Sequence, residues 1–255
     1  MYPEERRQAM SRLVAERRRL SVAELADEFE VTTETVRRDL SHLERAGQIR
    51  RTHGGAVPAD ALVAPEAEVA ERDRTNTDLK ELIAKAALSQ LPEDGCSLVV
   101  DAGSTTVRLA AAVPGDRRLS VHTHAVPVAA RLLALPHVEV NLLPGRVRAT
   151  TQAAVGGQTV AALHALRVDV AFLGTNAVSA THGLTTPDPD EAAVKSALVA
   201  AARRVVVLAD SSKLGTRSTV RFARSSEVDV LVTDPGADKA ELRRLEQAGI
   251  EVVVA

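Results

Sequence analysis

The sequence predicts an α/β protein in two parts, a small helical head ending in a β-wing and a larger domain on a mainly parallel sheet. Three observations carry this reading. Residues 31–57 join a helix having one apolar and one basic face to a short turn centred on Gly54-Gly55. Eight Val/Leu-rich runs alternate with helical stretches after Cys96, the pattern of strands buried on both faces. Between these parts lies a proline- and alanine-rich stretch, 58–75, without a sustained period.

At 255 residues the chain has room for one large domain, or for a small one and a medium one. Its apolar share of 45% allows a sizeable core. The aromatics are only Tyr2, Phe29, Phe172 and Phe222, so that core must be Ala, Val and Leu. The single cysteine, Cys96, excludes an internal disulfide framework and fits a reducing compartment. No apolar run is long enough to span a bilayer and the N-terminus is charged, so a soluble cytoplasmic protein without a membrane partner is expected. A net charge of −2 argues against a surface that binds polyanions everywhere. The positive charge is local instead. Residues 35–57 carry five arginines against Asp39 and Glu44, whereas residues 58–255 carry 21 basic and 24 acidic side chains. One module therefore meets phosphate and the rest does something else.

Taken in order, residues 3–18 predict a first helix with Met10, Leu13 and Val14 on one face. Ser21 and Glu24 then form an S-x-x-E capping box, with Leu20 and Leu25 as a hydrophobic staple, opening a second helix that runs to about Glu28. The third helix starts at Thr33 behind an N-cap at Thr32. Val36, Leu40 and Leu43 fall on its dry face, Glu34, Arg38, Ser41 and Arg45 lie opposite, and Gly47 ends it. QIRRTHGGAV then gives two short extended pieces around Gly54-Gly55. Three helices with a short second turn, followed by a wing, make a winged helix-turn-helix over residues 1–57. A planar guanidinium can bind guanine O6 and N7 or clamp a phosphate. The candidate DNA contacts are Thr32, Thr33, Thr35, Arg37, Arg38, Ser41 and Arg45 on the helix and Arg50, Arg51 and His53 in the wing.

The run T-T-E-T-V-R-R-D-L at 32–40, with Arg6, Met10 and Val14 upstream, resembles the N-terminal signature of DeoR-type bacterial transcriptional regulators. The wing sequence R-T-H-G-G-A at 51–56 is similar to the same family's hallmark. The resemblance implies that Thr35, Arg37, Arg38 and the wing arginines approach operator DNA. Which arginine reads a base and which positions the helix stays open.

Residues 58–75 are expected to be a linker whose later part turns helical. From Asp78, a helix ending near Leu91 carries Leu79, Leu82, Ile83, Ala86 and Ala87 on one apolar face. It either packs on the second domain or serves as a dimer spine. The predicted strands are 97–101, 119–123, 138–143, 169–174, 204–210, 219–223, 229–234 and 251–255, with helices as right-handed crossovers. They place an α/β domain over residues 76–255. Ligands of such sheets bind beyond the carboxyl ends of the strands.

The first such end is Asp101-Ala102-Gly103-Ser104-Thr105-Thr106, where a glycine and hydroxyls open a helix. It can cradle a phosphate, and it can equally be an ordinary capped turn; the Gly-Lys-Thr element of a P-loop is missing. Other strand ends supply Thr123 and His124, then Gly174, Thr175 and Asn176, then Asp210, Ser211, Ser212 and Lys213. Between them lie Thr186 and a helix carrying Glu191 and Lys195. Only five lysines stand beside 27 arginines, and two of them, Lys195 and Lys213, fall in this set.

The spacing D-A-G-S-T-T, T-H, L-G-T-N, G-L-T-T…E-A-A-V-K and A-D-S-S-K-L-G is similar to the C-terminal effector domain of the same family, from about residue 78 to the end. That resemblance implies a fold similar to sugar-phosphate isomerases and coenzyme A transferases, and a phosphorylated sugar as the effector sensed. Carried over by position, Asp101, Gly103, Ser104, Thr105, Thr106, Thr123, Asn176, Glu191, Lys195, Asp210 and Lys213 line the site, with His124, Gly174 and Thr186 beside them. Two departures stand near it. His124 replaces a usual Asn, and Leu143-Pro144-Gly145-Arg146 replaces a usual Gly-Gly pair.

The expectation is a non-enzymatic, sequence-specific transcriptional regulator, a repressor of sugar-catabolism or uptake genes acting as a homodimer or homotetramer. The alternative is a sugar-phosphate isomerase-like enzyme with a DNA-binding head. No cofactor is expected. The histidines are scattered and the cysteine is alone, so no metal site is expected either.

Overall fold

The computed structural model describes residues 2–17, 20–52, 54–58 and 68–255. Its contacts divide the chain into two compact units, residues 1–67 and 68–255.

In the first unit, α1 (Pro3–Arg17) leads into the short strand β1 (Leu20–Ser21) and helix α2 (Val22–Glu28). The capping box forms as predicted: Ser21 N–H donates to Glu24 Oε2 at 2.7 Å and Glu24 N–H to Ser21 Oγ at 3.1 Å. Helix α3 (Thr33–Arg45) starts behind Thr32, whose hydroxyl accepts from Thr35 N–H at 3.2 Å. Gly47 follows the helix at φ +69, the left-handed conformation that ends helices and favours glycine. Strands β2 (Ile49–Thr52) and β3 (Gly55–Pro58) form the wing, and the sheet order is β1-β3-β2. Gly55 pairs with Ser21 so closely that a β-carbon there would lie 1.9 Å from the Leu20 carbonyl oxygen. The second wing glycine is thus a packing requirement. Met10, Val14, Leu20, Leu25, Val36, Leu40, Leu43 and Ile49 form the core.

The second unit begins with α4 (Val69–Arg74), in the later part of the expected linker, and α5 (Thr77–Ala87), which a 3₁₀ turn over Leu88–Gln90 extends. The buried face of α5 is Lys80, Ile83, Ala84 and Ala87, while Leu82 is 45% exposed. The face is therefore rotated from the one expected, because it admits a lysine and excludes a leucine. Ile83, Ala84 and Ala87 pack against the sheet.

The chain then alternates strand and helix: β4 (Ser97–Val100), α6 (Ser104–Ala112), β5 (Leu119–Thr123), α7 (Val126–Leu132) and β6 (Val138–Leu142). A hairpin of β7 (Arg146–Arg148) and β8 (Ala153–Val155) precedes α8 (Gly157–His164) and β9 (Val168–Gly174). The remaining elements are β10 (Ala177–Ser179), β11 (Gly183–Thr186), α9 (Pro189–Ala201), β12 (Ala202–Leu208), β13 (Val220–Ala223), β14 (Val230–Thr233), α10 (Lys239–Gln247) and β15 (Glu251–Val254). Seven of the eight predicted strands form one parallel sheet, ordered β15-β14-β12-β9-β4-β5-β6. The eighth, β13, pairs antiparallel with β11 in a separate small sheet. Its sequence shows why: Arg221 faces solvent between partly buried Val220 and buried Phe222, the alternation of a strand with one wet face.

Alternation along the central strands divides the core. Leu98, Val100, Phe172, Val206 and Leu208 meet α5, α6 and α7 on one face. Val99, Ala171, Leu173, Val205 and Val207 meet α8, α9 and α10 on the other. No helix among the described residues is long and apolar enough to cross a membrane.

Candidate functional site

In the head, buried Val36, Leu40 and Leu43 fix the orientation of α3, and Asp39 accepts from Arg6 Nε at 2.7 Å to tie it to α1. Arg37 and Arg38 project outward with side chains 57% and 81% exposed, close to Glu34 at 3.9 and 3.5 Å. Pairs this exposed hold little energy, so both guanidinium groups can be transferred to DNA phosphates or bases. Thr33 is exposed as well. Other predicted contacts have local duties. The Ser41 hydroxyl donates to the Arg37 carbonyl and accepts from Arg51 Nη1, both at 2.8 Å. Arg51 N–H donates to Glu44 Oε1 at 3.0 Å, so the wing is fastened to α3. Arg45 Nε bonds the Ser41 carbonyl at 3.2 Å, and the Thr32 and Thr35 hydroxyls bond each other at 2.9 Å. Arg50 stands in β2 opposite Val57. The prediction at His53 lies outside the described residues.

In the second unit, a narrow cleft opens at the carboxyl ends of β4 and β9. The predicted residues Gly103, Ser104, Thr105, Thr106, Gly174, Asn176, Glu191, Lys195 and Lys213 line it. Gly103 precedes α6 at φ +150 and carries no capping side chain, so the first amides of α6 are left for a ligand.

Asp101 lies fully buried at the base. It accepts from Gly174 N–H at 2.9 Å, contacts the Lys195 ammonium and lies 3.0 Å from His124 Nε2. Burial pushes its carboxyl up, but the Lys195 ammonium and the His124 hydrogen bond outweigh burial and hold it at about 2. The other nitrogen of His124, Nδ1, lies 2.8 Å from the Ala154 carbonyl, so this histidine braces Asp101 against β8. Lys195 also donates to the Gly174 carbonyl at 3.0 Å and lies 5.5 Å from the centre of the Phe222 ring.

A folded-state pKa below the unfolded value means that the ionised Asp101 stabilises the fold above the unfolded pKa. That contribution is lost as pH falls through the folded one. Between pH 3.8 and about 2 the second unit should lose about 2 kcal/mol from this group. Asp101→Asn should remove that limb from a urea-denaturation pH series; an unchanged limb would deny the assignment.

Several predicted residues stand behind the cleft wall. The Thr123 hydroxyl donates to the Val100 carbonyl at 2.7 Å and accepts from Ala125 N–H at 3.1 Å, so it is committed to the backbone. Thr186 donates to Asn176 Oδ1 at 3.0 Å and orients that amide. Asp210 accepts from Asn76 Nδ2 at 3.3 Å and lies 3.9 Å from the Lys213 ammonium. Burial lowers the pKa of Lys213, Asp210 opposes the shift, and Arg72 and Lys195 add to it.

Three residues of this region escaped sequence reasoning. Arg72 and Thr151 line the cleft, together with Thr175 of the L-G-T-N run. Lys80 is buried nearby, its ammonium donating to the Arg72 carbonyl and, at 2.6 Å, to the Thr75 carbonyl. Burial first, then Lys213, lowers Lys80 to about 8 against the pull of Asp210. Lysine scarcity was the available signal: three of the five lysines converge here. Thr151 is 3% exposed and its hydroxyl has no hydrogen-bond partner among the described residues. Such a group needs a ligand or water. Glu191 accepts from Arg148 Nη1 at 3.0 Å, and Arg148 Nη2 reaches Asp188 at 3.1 Å. The arginine and lysine side chains at the cleft outnumber its lining carboxylate, so the arrangement suits an anion.

Comparison with known proteins agrees with this two-part organisation. Residues 6–61 match the DeoR-like helix-turn-helix domain and residues 75–235 the DeoR C-terminal sensor domain. The HTH-type transcriptional regulator GlpR of Haloferax volcanii is 39% identical over 253 residues, covering 99% of this chain and 98% of the relative. The HTH-type transcriptional repressor GlcR of Bacillus subtilis is 31% identical, covering 100% and 97%. Among solved structures, a probable sor operon regulator from Shigella flexneri aligns with a TM-score of 0.44 at 11% identity, covering 82% of this chain and 97% of that one. Ribose 5-phosphate isomerase A from Methanocaldococcus jannaschii aligns with a TM-score of 0.40 at 20% identity, covering 55% of each. With both domains matched in order and full-length relatives above 30% identity, the chain belongs to the DeoR family of transcriptional regulators, which join a DNA-binding head to a C-terminal sensor domain.

Proposed function

We propose that this regulator is a cytoplasmic repressor of sugar-catabolism or sugar-uptake genes whose operator affinity changes when a phosphorylated sugar occupies the cleft of the second unit. The observation that carries the reading is the cleft itself. Uncapped amides of α6, the ammonium groups of Lys195 and Lys213 and the buried Thr151 hydroxyl converge there. That set suits a phosphate, while Asn176 offers an amide donor and Glu191 a carboxylate acceptor for sugar hydroxyls. Exposed Arg37 and Arg38 serve the operator, and a homodimer or homotetramer supplies the two heads a palindromic site needs.

An isomerase would need a base poised near the working pH. Asp101, held at about 2 and saturated by Gly174, Lys195 and His124, is a poor base. Glu191 is engaged by Arg148. The site is therefore read as a binding site. Measurable isomerisation of sugar phosphates, abolished by Glu191→Gln, would reverse this ranking.

The test uses a duplex enriched by the full-length protein from a randomised pool. Its dissociation constant is measured by fluorescence anisotropy with phosphorylated sugars and with their unphosphorylated counterparts. One phosphosugar should change DNA affinity by about 5- to 150-fold, and DNA should change the affinity for that sugar by the same factor. Equal DNA affinity with every phosphosugar would defeat the proposal.

A further inference from the structure

Helix α4 is six residues long, too short to hold its shape unaided. Most of what holds it lies beside residues that line the cleft. Val69 N–H donates to the Thr150 carbonyl at 2.8 Å, next to the Thr151 hydroxyl that lacks a partner among the described residues. Asp73 pairs with Arg108, whose guanidinium also bonds the Asp73 carbonyl at 3.2 Å and, at 3.1 Å, the carbonyl of Ser104 in the first turn of α6. The Lys80 ammonium caps the far end through the Arg72 and Thr75 carbonyls. Asn76, left-handed at φ +55, closes the segment and reaches Asp210. From the middle of this helix Arg72 joins Lys195, Lys213 and Thr151 in lining the cleft.

We propose that Arg72 clamps the anionic group of the ligand and that α4 is the element through which the second unit registers occupancy. The proposal rests on the cleft being an anion-binding effector site. Its physical basis is differential. Arg72, Lys80, Lys195 and Lys213 crowd one region; burial chiefly lowers the pKa of Lys80 and of Lys213, and the neighbouring cations add to it by repulsion, Lys213 at Lys80 and Arg72 with Lys195 at Lys213. A bound dianion turns that repulsion into shared attraction. The ligand thus binds more tightly to the arrangement with Arg72 drawn in, and shifts the segment towards it. An arginine fits this task because its fork grips a phosphate through two parallel N–H bonds. In sequence α4 directly follows residues 59–67, which lead from the DNA head, so a change in its order is delivered to the segment that carries the head.

The test is hydrogen–deuterium exchange of the full chain in inorganic phosphate against chloride at matched ionic strength. Peptides covering 103–107 and 68–77 should both exchange more slowly in phosphate. In Arg72→Ala the phosphate-dependent protection over 68–77 should vanish and the phosphate dissociation constant should rise by about tenfold or more, the loss of a charge-assisted bond. If that variant fails to fold, Arg72→Lys, which keeps the charge without the fork, should show reduced protection over 68–77. Protection of 103–107 alone in the wild type would overturn the role of α4 and leave the effector reading standing. Unchanged phosphate affinity in Arg72→Ala would overturn the clamp. Protection of neither peptide would overturn this proposal together with the effector reading.

Discussion

Asp101→Ala should cost the second unit about 3–5 kcal/mol of unfolding free energy, the penalty for stripping a buried ammonium of its partner. Asp101 is fully buried, and Lys195, at 4% exposure, loses its counter-ion with it. The variant also leaves Gly174 N–H and one edge of the His124 ring without their acceptor. The midpoint of the second unit's urea transition reports the loss. Asp101→Ala combined with Lys195→Met should recover a large part of it, since a methionine of similar length needs no counter-charge. A cost under about 1 kcal/mol would mean that water reaches this pair and that its stabilising role is that of a surface bridge.

The second large effect belongs to the head. Arg38→Ala should weaken binding to the selected duplex by about 1–3 kcal/mol, roughly 5- to 150-fold, if its fork reads a base. If it holds a phosphate instead, the loss should be similar across sequences and should lower the salt dependence by about one charge. Stability should hardly change, because the side chain is 81% exposed and its pairing with Glu34 is a surface contact. Ligand binding in the second unit should be untouched. Undiminished DNA affinity would remove the recognition role from α3.

Much of this architecture was legible in the residues because its determinants are local. The Ser21–Glu24 capping box, the Thr32 cap and the i, i+4, i+7 spacing of Val36, Leu40 and Leu43 each involve residues one or two helical turns apart. The parallel strands were legible as continuous apolar runs. What was missed depends on distant partners or on segments too short to show a period. Strands β7, β8 and β10 have three residues each, fewer than two repeats of the strand alternation. Helix α4 lies in a stretch whose composition reads as linker, so Arg72 was passed over. Lys80 occupies the buried face of α5 only because two carbonyls of a neighbouring segment receive its ammonium.

The candidate site divides along the same line. Glycine and hydroxyl residues at a strand end locate the cleft, since parallel-sheet topology fixes where strand ends meet. They do not tell where each side chain is spent. Thr123 sits at such an end, yet its hydroxyl is consumed by the Val100 carbonyl and Ala125 N–H. Thr151 follows a three-residue strand in a hairpin that only the fold brings to the cleft.

Thermal shift of the full-length protein reads directly whether the second unit senses a phosphosugar. The panel contains sugar phosphates, each beside its unphosphorylated form. A ligand bound only by the folded state adds about 2.7 kcal/mol at a hundredfold excess over its dissociation constant. At least one phosphosugar should therefore raise the melting temperature while its unphosphorylated counterpart does not, and Lys213→Ala should abolish the shift. No shift with any sugar phosphate, or equal shifts with and without the phosphate, would rule out a phosphosugar sensor in the second unit.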